Sequence, residues 1–220
     1  MDAQAELAAI DPVRVRPERI VTDRQISAGW MHSGYPIMAH TLSSPDLTSL
    51  ANLMTFGDWG AFHELGHNHQ WADWLLPGTT ETSCNLWSVH TMEQVVGIDR
   101  SQGHSALLST ARADRVQAYV DGGRDFAADW SVWTALETWL MIQEEFGWEP
   151  LIAVQERYLA DAPGDAPGSD QARIDRWAVR MSEETGRDLT PFFDAWGIPL
   201  SAGVYGAVGG LPPWTDHPMP

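Results

Sequence analysis

The chain has 220 residues, of which 44% are hydrophobic, and its formal net charge is −17. This length and hydrophobic content suffice for one large domain with a substantial core, and they exclude an intrinsically disordered chain. The acidity and the lack of a basic run argue against nucleic acid or an anionic membrane as a partner, and the single cysteine excludes an internal disulfide framework.

The first part of the chain predicts a small sheet. Residues 1–19 contain charges and prolines and are interpreted as a leading segment. They lack the basic start and apolar run of a signal peptide, and no stretch of the chain is long and apolar enough to predict a membrane span. Residues 20–42 mix β-branched and aromatic residues, which predicts one or two strands broken by a turn at 33–36. A short helix is predicted near 45–54.

The rest of the chain predicts helices. Apolar residues recur three and four positions apart from Asp58, the predicted N-cap, to about Trp74. A second helix is predicted over 81–96, ending at Gly97. A strongly apolar helix is predicted over 128–146, with Asp129 interpreted as its N-cap. The other helices are predicted over 104–120, 149–160 and 170–184, with a short one from Thr190 and a loop over 162–169.

One motif indicates chemistry. Residues 63–67, His-Glu-Leu-Gly-His, match H-E-x-x-H. Positions four apart share one face of a helix, so His63 and His67 can bind the same ion. A catalytic zinc ion takes three protein ligands, keeps one position open for water and lowers the pKa of that water toward about 7. Glu64 is placed to take the proton, so the motif predicts one catalytic Zn²⁺ with Glu64 as general base.

Three residues compete for the third ligand position. Asp73 has the spacing of a longer zinc pattern, but Gln70 stands where that pattern requires a glycine to turn the chain. His69 points well away from His67 around the predicted helix. Glu81 is favoured, because it follows a Pro-Gly turn and begins the next predicted helix, which returns antiparallel to the first.

Two neighbours of Glu81 also bear on the site. Asn85 lies four positions later and shares its helix face. Metal-bound histidines usually donate their other ring N–H to an oxygen, so Asn85 is predicted to orient His63 or His67. Cys84 is interpreted as a small buried residue rather than as a fourth metal ligand.

A zinc peptidase also needs a donor that stabilises the oxyanion of its tetrahedral intermediate. Gln70, one turn after His67, is interpreted as contacting either the substrate or the neighbouring helix. No spacing rule chooses among the remaining candidates, which are Tyr119, Tyr158, His104, Tyr205 and Tyr35.

Longer segments carry a resemblance to a known family. Residues 61–70 (AFHELGHNHQ) and 81–88 (ETSCNLWS) resemble the active-site region of the enhancin-like peptidases, family M60 of the gluzincin group. Residues 30–37 (WMHSGYPI) resemble the family's segment upstream of the active helix, and 189–197 (LTPFFDAWG) resemble the end of its catalytic domain. The three blocks occur in the right order, and the similarity runs from about 20 to 202.

The resemblance implies an α+β, predominantly helical fold of the zincin type, with a small N-terminal sheet and a helical second lobe. The catalytic domain is predicted over 20–202, with an upper part over about 20–98 and a lower lobe over about 99–202. Residues 203–220 form a tail rich in glycine and proline.

The resemblance also implies His63, His67 and Glu81 as zinc ligands and Glu64 as the catalyst. It implies cleavage of mucins and other O-glycosylated proteins, a secreted or cell-surface bacterial location, and carbohydrate-binding modules that this chain lacks. Two alternatives stay open. One is a general zinc peptidase without glycan dependence, and the other is a catalytically silent binding module, against which the intact Glu64 argues.

Overall fold

The computed structural model describes residues 1–13 and 16–220. These residues form a mostly helical α+β fold with one small sheet, which confirms the predicted class. Among them no helix is both long and apolar enough to cross a lipid bilayer. The strands β1 to β3 are Ile20–Asp23, Met31–His32 and Ile37–His40. The α-helices α1 to α13 are Asp2–Leu7, Ser44–Leu47, Leu50–Phe56, Trp59–His67, Thr80–Thr91, Arg100–Gly103, Ser109–Asp121, Phe126–Asp129, Val132–Phe146, Glu149–Leu159, Asp170–Thr185, Thr190–Ala195 and Ala202–Val208.

The described chain divides into two compact units. The first consists of residues 1–70 and 83–112, and the second of residues 71–82 and 113–220. One boundary falls between Thr82 and Ser83, inside α5, and another falls between Arg112 and Ala113, inside α7. The lobe boundary placed near residue 98 from the sequence stays a prediction.

The sheet belongs to the first unit and has the strand order β1-β3-β2. β1 runs parallel to β3, with Ile20 opposite Ile37, and β2 runs antiparallel to it, with Met31 opposite Ala39. The sequence predicted one or two strands in this region, and the additional strand is the two-residue edge strand β2. This strand lies close to α4, because a Cβ at Gly60 would come within 3.0 Å of the Met31 sulfur.

Helix α4, which carries the H-E-x-x-H motif, begins where the sequence predicted and ends earlier. The Asp58 carboxylate accepts a hydrogen bond from the Ala61 N–H at 2.8 Å, which confirms the N-cap. The predicted extension to Trp74 is wrong, since the helix ends at His67. Immediately beyond it, the Asn68 amide pairs with the backbone of Gly34, accepting from its N–H at 3.0 Å and donating to its carbonyl at 3.2 Å.

Helix α5 packs against α4 at a very small separation. It covers Thr80–Thr91, continues as a π-helical turn over Met92–Val96 and stops at Gly97, whose φ is +77°, close to the predicted span. A Cβ at Gly66 would lie 2.7 Å from the Cys84 carbonyl oxygen and 3.0 Å from the Trp87 Cβ. The glycine of the motif therefore allows the two helices to touch through their backbones.

The N-terminal residues are more ordered than the sequence indicated. The interpretation of 1–19 as a leading segment missed helix α1. Its Gln4 side chain donates to the Phe62 carbonyl at 2.9 Å, and the Trp87 indole N–H donates to the Gln4 carbonyl at 3.1 Å. These contacts tie α1 to both α4 and α5.

The second unit has an aromatic core. Trp177 packs against Trp139 and Phe193, with ring centroids 5.2 and 5.0 Å apart. Asp129 does not cap the apolar helix α9, because it ends α8 and Ser131 precedes α9. Residues 203–220 were predicted only as a tail rich in glycine and proline, but the first part of this tail belongs to helix α13, whose two valines are buried four residues apart.

Candidate metal centre

The two histidines of the motif face each other. His63 and His67 lie one turn apart on α4, and both are half-buried. Their Nε2 atoms are 3.1 Å apart, and the rings meet edge to face with centroids 4.7 Å apart. Both nitrogens can therefore address the same point in space.

Asn85 determines the tautomer of His63. Its Oδ1 lies 2.7 Å from His63 Nδ1. An amide oxygen can only accept a hydrogen bond, so Nδ1 carries the proton and Nε2 keeps its lone pair. Asn85 is buried on α5, four residues after Glu81.

Gln70 has the same function for His67. Its Oε1 lies 2.9 Å from His67 Nδ1, and its Nε2 donates to the Ser83 hydroxyl at 2.6 Å. The second bond holds the amide with its oxygen toward the imidazole. The sequence interpretation placed Gln70 at the substrate or the neighbouring helix and did not consider this role, although a glutamine three residues after a ligand histidine is a usable signal.

Helix α5 supplies two further donors. His63, His67, Glu81 and Cys84 each offer one ligand atom, and these atoms all lie within 4.8 Å of one another. Glu81 is exposed and Cys84 is buried, so the group has one side open to solvent.

The two other candidates for the third ligand lie elsewhere. His69 stacks against Trp87, with nearly parallel rings whose centroids are 6.2 Å apart. Asp73 follows the end of α4 and is not a member of the donor group found in the described residues. Of the three candidates, the structure brings only Glu81 to the histidines.

These residues fit a zinc ion. Zn–N bonds of about 2.0–2.1 Å in a tetrahedron separate two nitrogen ligands by roughly 3.3 Å, which is close to the 3.1 Å observed between the two Nε2 atoms. Two neutral imidazoles and a carboxylate are a usual donor set of catalytic zinc. Each imidazole already has the orienting partner that such ligands need.

Glu64 is the third chemical group of the motif. It lies next to His63 on α4 and only 8% of its surface is exposed. Within residues 1–13 and 16–220, no hydrogen bond or ion pair occupies its carboxylate. A carboxylate that adjoins a ligand histidine and has no structural partner among these residues is available for proton transfer.

Two predicted oxyanion candidates belong to the core of the second unit. The Tyr119 hydroxyl donates to the Trp196 carbonyl at 2.8 Å, and burial raises its pKa to about 12. Tyr158 is also buried, which raises the pKa of its hydroxyl, and the Arg180 guanidinium lies 4.3 Å from its ring centroid. Both have structural roles, and their contact with substrate stays a prediction.

The remaining candidates also have structural partners. His104 Nδ1 accepts from the Ala106 N–H at 3.1 Å and its ring packs on Trp59 in the first unit. The hydroxyls of Tyr35 and Tyr205 donate to the Pro17 carbonyl and to Asp194, respectively. Their assignment to the oxyanion likewise stays a prediction.

Comparison with known proteins gives three informative similarities. The TRPM8 channel-associated factor homolog of Xenopus laevis is 46% identical over 220 residues, which is all of this chain and 24% of that protein. A conserved protein of unknown function from Bacillus anthracis has the same fold, with a TM-score of 0.83 at 20% identity over 97% of this chain and 45% of that one. IMPa from Pseudomonas aeruginosa, whose structure was solved with an O-glycopeptide, has a TM-score of 0.60 at 18% identity. This comparison covers 97% of this chain and 31% of that one.

The family assignment rests on a sequence match. The chain spans about a quarter of the length of the curated relatives it matches. Residues 1–197 match the family described as Peptidase M60, enhancin and enhancin-like. This match covers most of the chain, including the paired histidines, Glu64 and all of α5, and it confirms the resemblance found in the sequence. The chain therefore belongs to the Peptidase M60, enhancin and enhancin-like family.

Proposed function

We propose that this chain is the catalytic domain of a zinc-dependent endopeptidase that acts on O-glycosylated proteins. In this proposal His63, His67 and Glu81 hold one zinc ion and Glu64 is the general base. The observation that carries it is the pair of Nε2 atoms 3.1 Å apart, with each opposite ring nitrogen held by an amide oxygen. A histidine pair prepared in this way has no evident structural purpose.

The protein residues divide the work between binding and proton transfer. When bound, the ion would supply Lewis-acid chemistry, which polarises a peptide carbonyl and makes water acidic near neutral pH. Glu64 would take the proton of the attacking water and then deliver it to the leaving nitrogen. Asn85 and Gln70 would hold both imidazoles with their Nε2 atoms toward the ion during the reaction.

The glycoprotein substrate is the finer part of the proposal. It is supported by the sequence resemblance and by the similarity to IMPa, whose structure was solved with an O-glycopeptide. At 18% identity that similarity shows a shared fold alone. A general peptidase remains the alternative, and cleavage of one O-glycosylated protein before and after enzymatic removal of its O-glycans separates the two.

The decisive experiment removes the base and leaves the ligands. Glu64→Gln should lower the rate of cleavage of the O-glycosylated protein by about 10²–10⁴-fold, because proton transfer is lost. Zinc content should stay at one ion per chain. The matched control is Glu156→Gln, the same change at an exposed position of α10, which should leave cleavage unchanged. Equal cleavage by wild type and Glu64→Gln would refute the enzyme proposal.

A silent binding module is the second candidate function. It is favoured by the names of the curated relatives, which are TRPM8 channel-associated factors rather than peptidases. The same experiment distinguishes it, since a silent module would bind zinc, or bind none, and cleave no better than Glu64→Gln. Secretion or surface exposure of a bacterial protein stays a prediction, which fractionation of the source cells would test.

A further inference from the structure

The side chain of Gln4 joins the two helices of the metal centre. Gln4 lies on α1 and is fully buried. Its Nε2 donates to the Phe62 carbonyl of α4 at 2.9 Å and to the Thr91 hydroxyl oxygen of α5 at 3.1 Å. An amide nitrogen carries two hydrogens, so both are used, one on each helix.

The backbone of Gln4 adds a third bond, which also goes to α5. Its carbonyl accepts a hydrogen bond from the Trp87 indole N–H at 3.1 Å. Trp87 and Thr91 are four residues apart and so share one face of α5, and the Thr91 hydroxyl donates to the Trp87 carbonyl at 2.8 Å. The Thr91 oxygen is therefore free to accept, which agrees with the direction of the bond from Gln4 Nε2.

This arrangement carries a cost that an apolar side chain would avoid. Among residues 1–13 and 16–220, the buried Oε1 of Gln4 has no hydrogen-bond partner. A buried acceptor without a partner destabilises a fold by about 1–3 kcal/mol. An apolar residue of the same size would fill the space without this cost, so what the glutamine adds is the fixed length and direction of its bonds to α4 and α5.

The bonds of Gln4 attach next to the His63–Asn85 pair. Phe62 immediately precedes His63 on α4, and Trp87 follows Asn85 by two residues on α5. The 2.7 Å separation of His63 Nδ1 and Asn85 Oδ1 spans the same two helices. This separation depends on where one helix lies relative to the other, which a third element bonded to both can fix.

We propose that Gln4 is a positioning residue of the metal centre. It holds α4 and α5 at the separation at which Asn85 accepts from His63 Nδ1, so that Nε2 stays available to the ion. The inference rests on the zinc site of the proposed function. Helix α1 contributes no member to the donor group found in the described residues, so its effect on metal affinity passes through these hydrogen bonds.

A double-mutant cycle tests the proposal. Gln4→Met keeps the size of the side chain and removes both donors, and zinc affinity is measured by competition with a chelator. We expect the affinity to fall by about tenfold, the lower end of the range for changes to the partners of ligand histidines. In the Asn85→Ala background, Gln4→Met should have no further effect, because the bond that Gln4 positions is absent.

Two controls separate positioning from stability. Gln117→Met makes the same change at an exposed position of α7 and should leave zinc affinity unchanged. Leu107→Ala removes buried carbon atoms in the first unit but no hydrogen bond, so it should destabilise the metal-free chain and leave zinc affinity unchanged. If Gln4→Met fails to fold, Thr91→Val removes one of the two acceptors and should show a smaller loss through the same cycle.

The possible results distinguish this inference from the proposed function. A loss of zinc affinity in Gln4→Met that disappears in the Asn85→Ala background supports the inference. An unchanged affinity, the same loss in both backgrounds, or an equal loss in Leu107→Ala overturns it and leaves the zinc site of the proposed function intact. A wild-type chain that binds no zinc overturns both.

Discussion

Helices α5 and α9 are both buried along most of their length, but they differ in what they bury. The buried run of α9, Ala135–Ile142, is mostly apolar and lies in the aromatic core of the second unit. The buried residues of α5 include many polar side chains, which are Thr82, Ser83, Asn85, Ser88, His90 and Thr91.

Burying polar groups is costly unless each has a partner, so the composition of α5 requires an explanation that the composition of α9 does not. Two of these polar groups orient the histidines, Asn85 directly and Ser83 through Gln70. Helix α5 therefore positions chemical groups, whereas α9 fills a core. The following predictions test this difference in role.

The largest effect on stability is expected in the apolar core. Phe193 is fully buried against Trp177 and Phe192, so Phe193→Ala should lower the free energy of unfolding by about 3–5 kcal/mol. Phe56→Ala is the matched control, because Phe56 is 65% exposed, and it should change stability by less than about 0.5 kcal/mol. Denaturant unfolding measures both, and a similar loss in the two variants would contradict the assignment of this core.

A pH-dependent effect is expected in the polar helix. Burial lowers the pKa of His90 from 6.5 to about 4. Between these two pH values the unfolded chain therefore binds more protons than the folded chain. The contribution of His90 to stability is complete above pH 6.5 and is lost as the pH falls to about 4. The loss amounts to roughly 3 kcal/mol. His90→Gln should remove most of this slope in unfolding measured from pH 7 to 4, and an unchanged slope would assign the pH dependence to other groups.

A smaller effect is expected where the helices touch. Gly66→Ala should destabilise the protein by about 1–2 kcal/mol, because the cost of crowding against the Cys84 backbone exceeds the helix-propensity gain of about 1 kcal/mol. Gly206→Ala is the matched control in α13, where, apart from the helix's own backbone, no atom of residues 1–13 and 16–220 lies within 4 Å of the added carbon. This change should stabilise the protein by up to about 1 kcal/mol. Thermal or denaturant unfolding measures both variants, and the two changes in stability should have opposite signs.

Much of this architecture follows from local patterns. The cap at Asp58, the span of α5 with its stop at Gly97, and helices α10 to α12 agree with the sequence reading, because capping and apolar spacing act over a few residues. The predicted fold class, mostly helical with one small sheet, agrees with the structure for the same reason.

The differences arise from contacts between distant residues. Helix α4 ends early beside the bonds between Asn68 and Gly34, which are far apart in sequence. Helix α13 contains two glycines that disfavour a helix locally, and burial of Val204 and Val208 compensates for them. For the site, the motif identified the histidines and Glu64. The spacing of Gln70 from His67 indicated a possible contact, but the direction of its amide depends on the bond to Ser83, 13 residues away, which local spacing does not predict.

The amide partners of the two histidines have a consequence for how the protein handles its metal. Asn85, and Gln70 together with Ser83, orient the two imidazoles through their Nδ1 atoms, so this orientation does not depend on the nitrogens that would bind an ion. The site is therefore preorganised, and little conformational entropy remains to be lost on binding. A chelator should then strip the ion reversibly and leave the fold intact, in contrast to small zinc domains that unfold when the metal is removed.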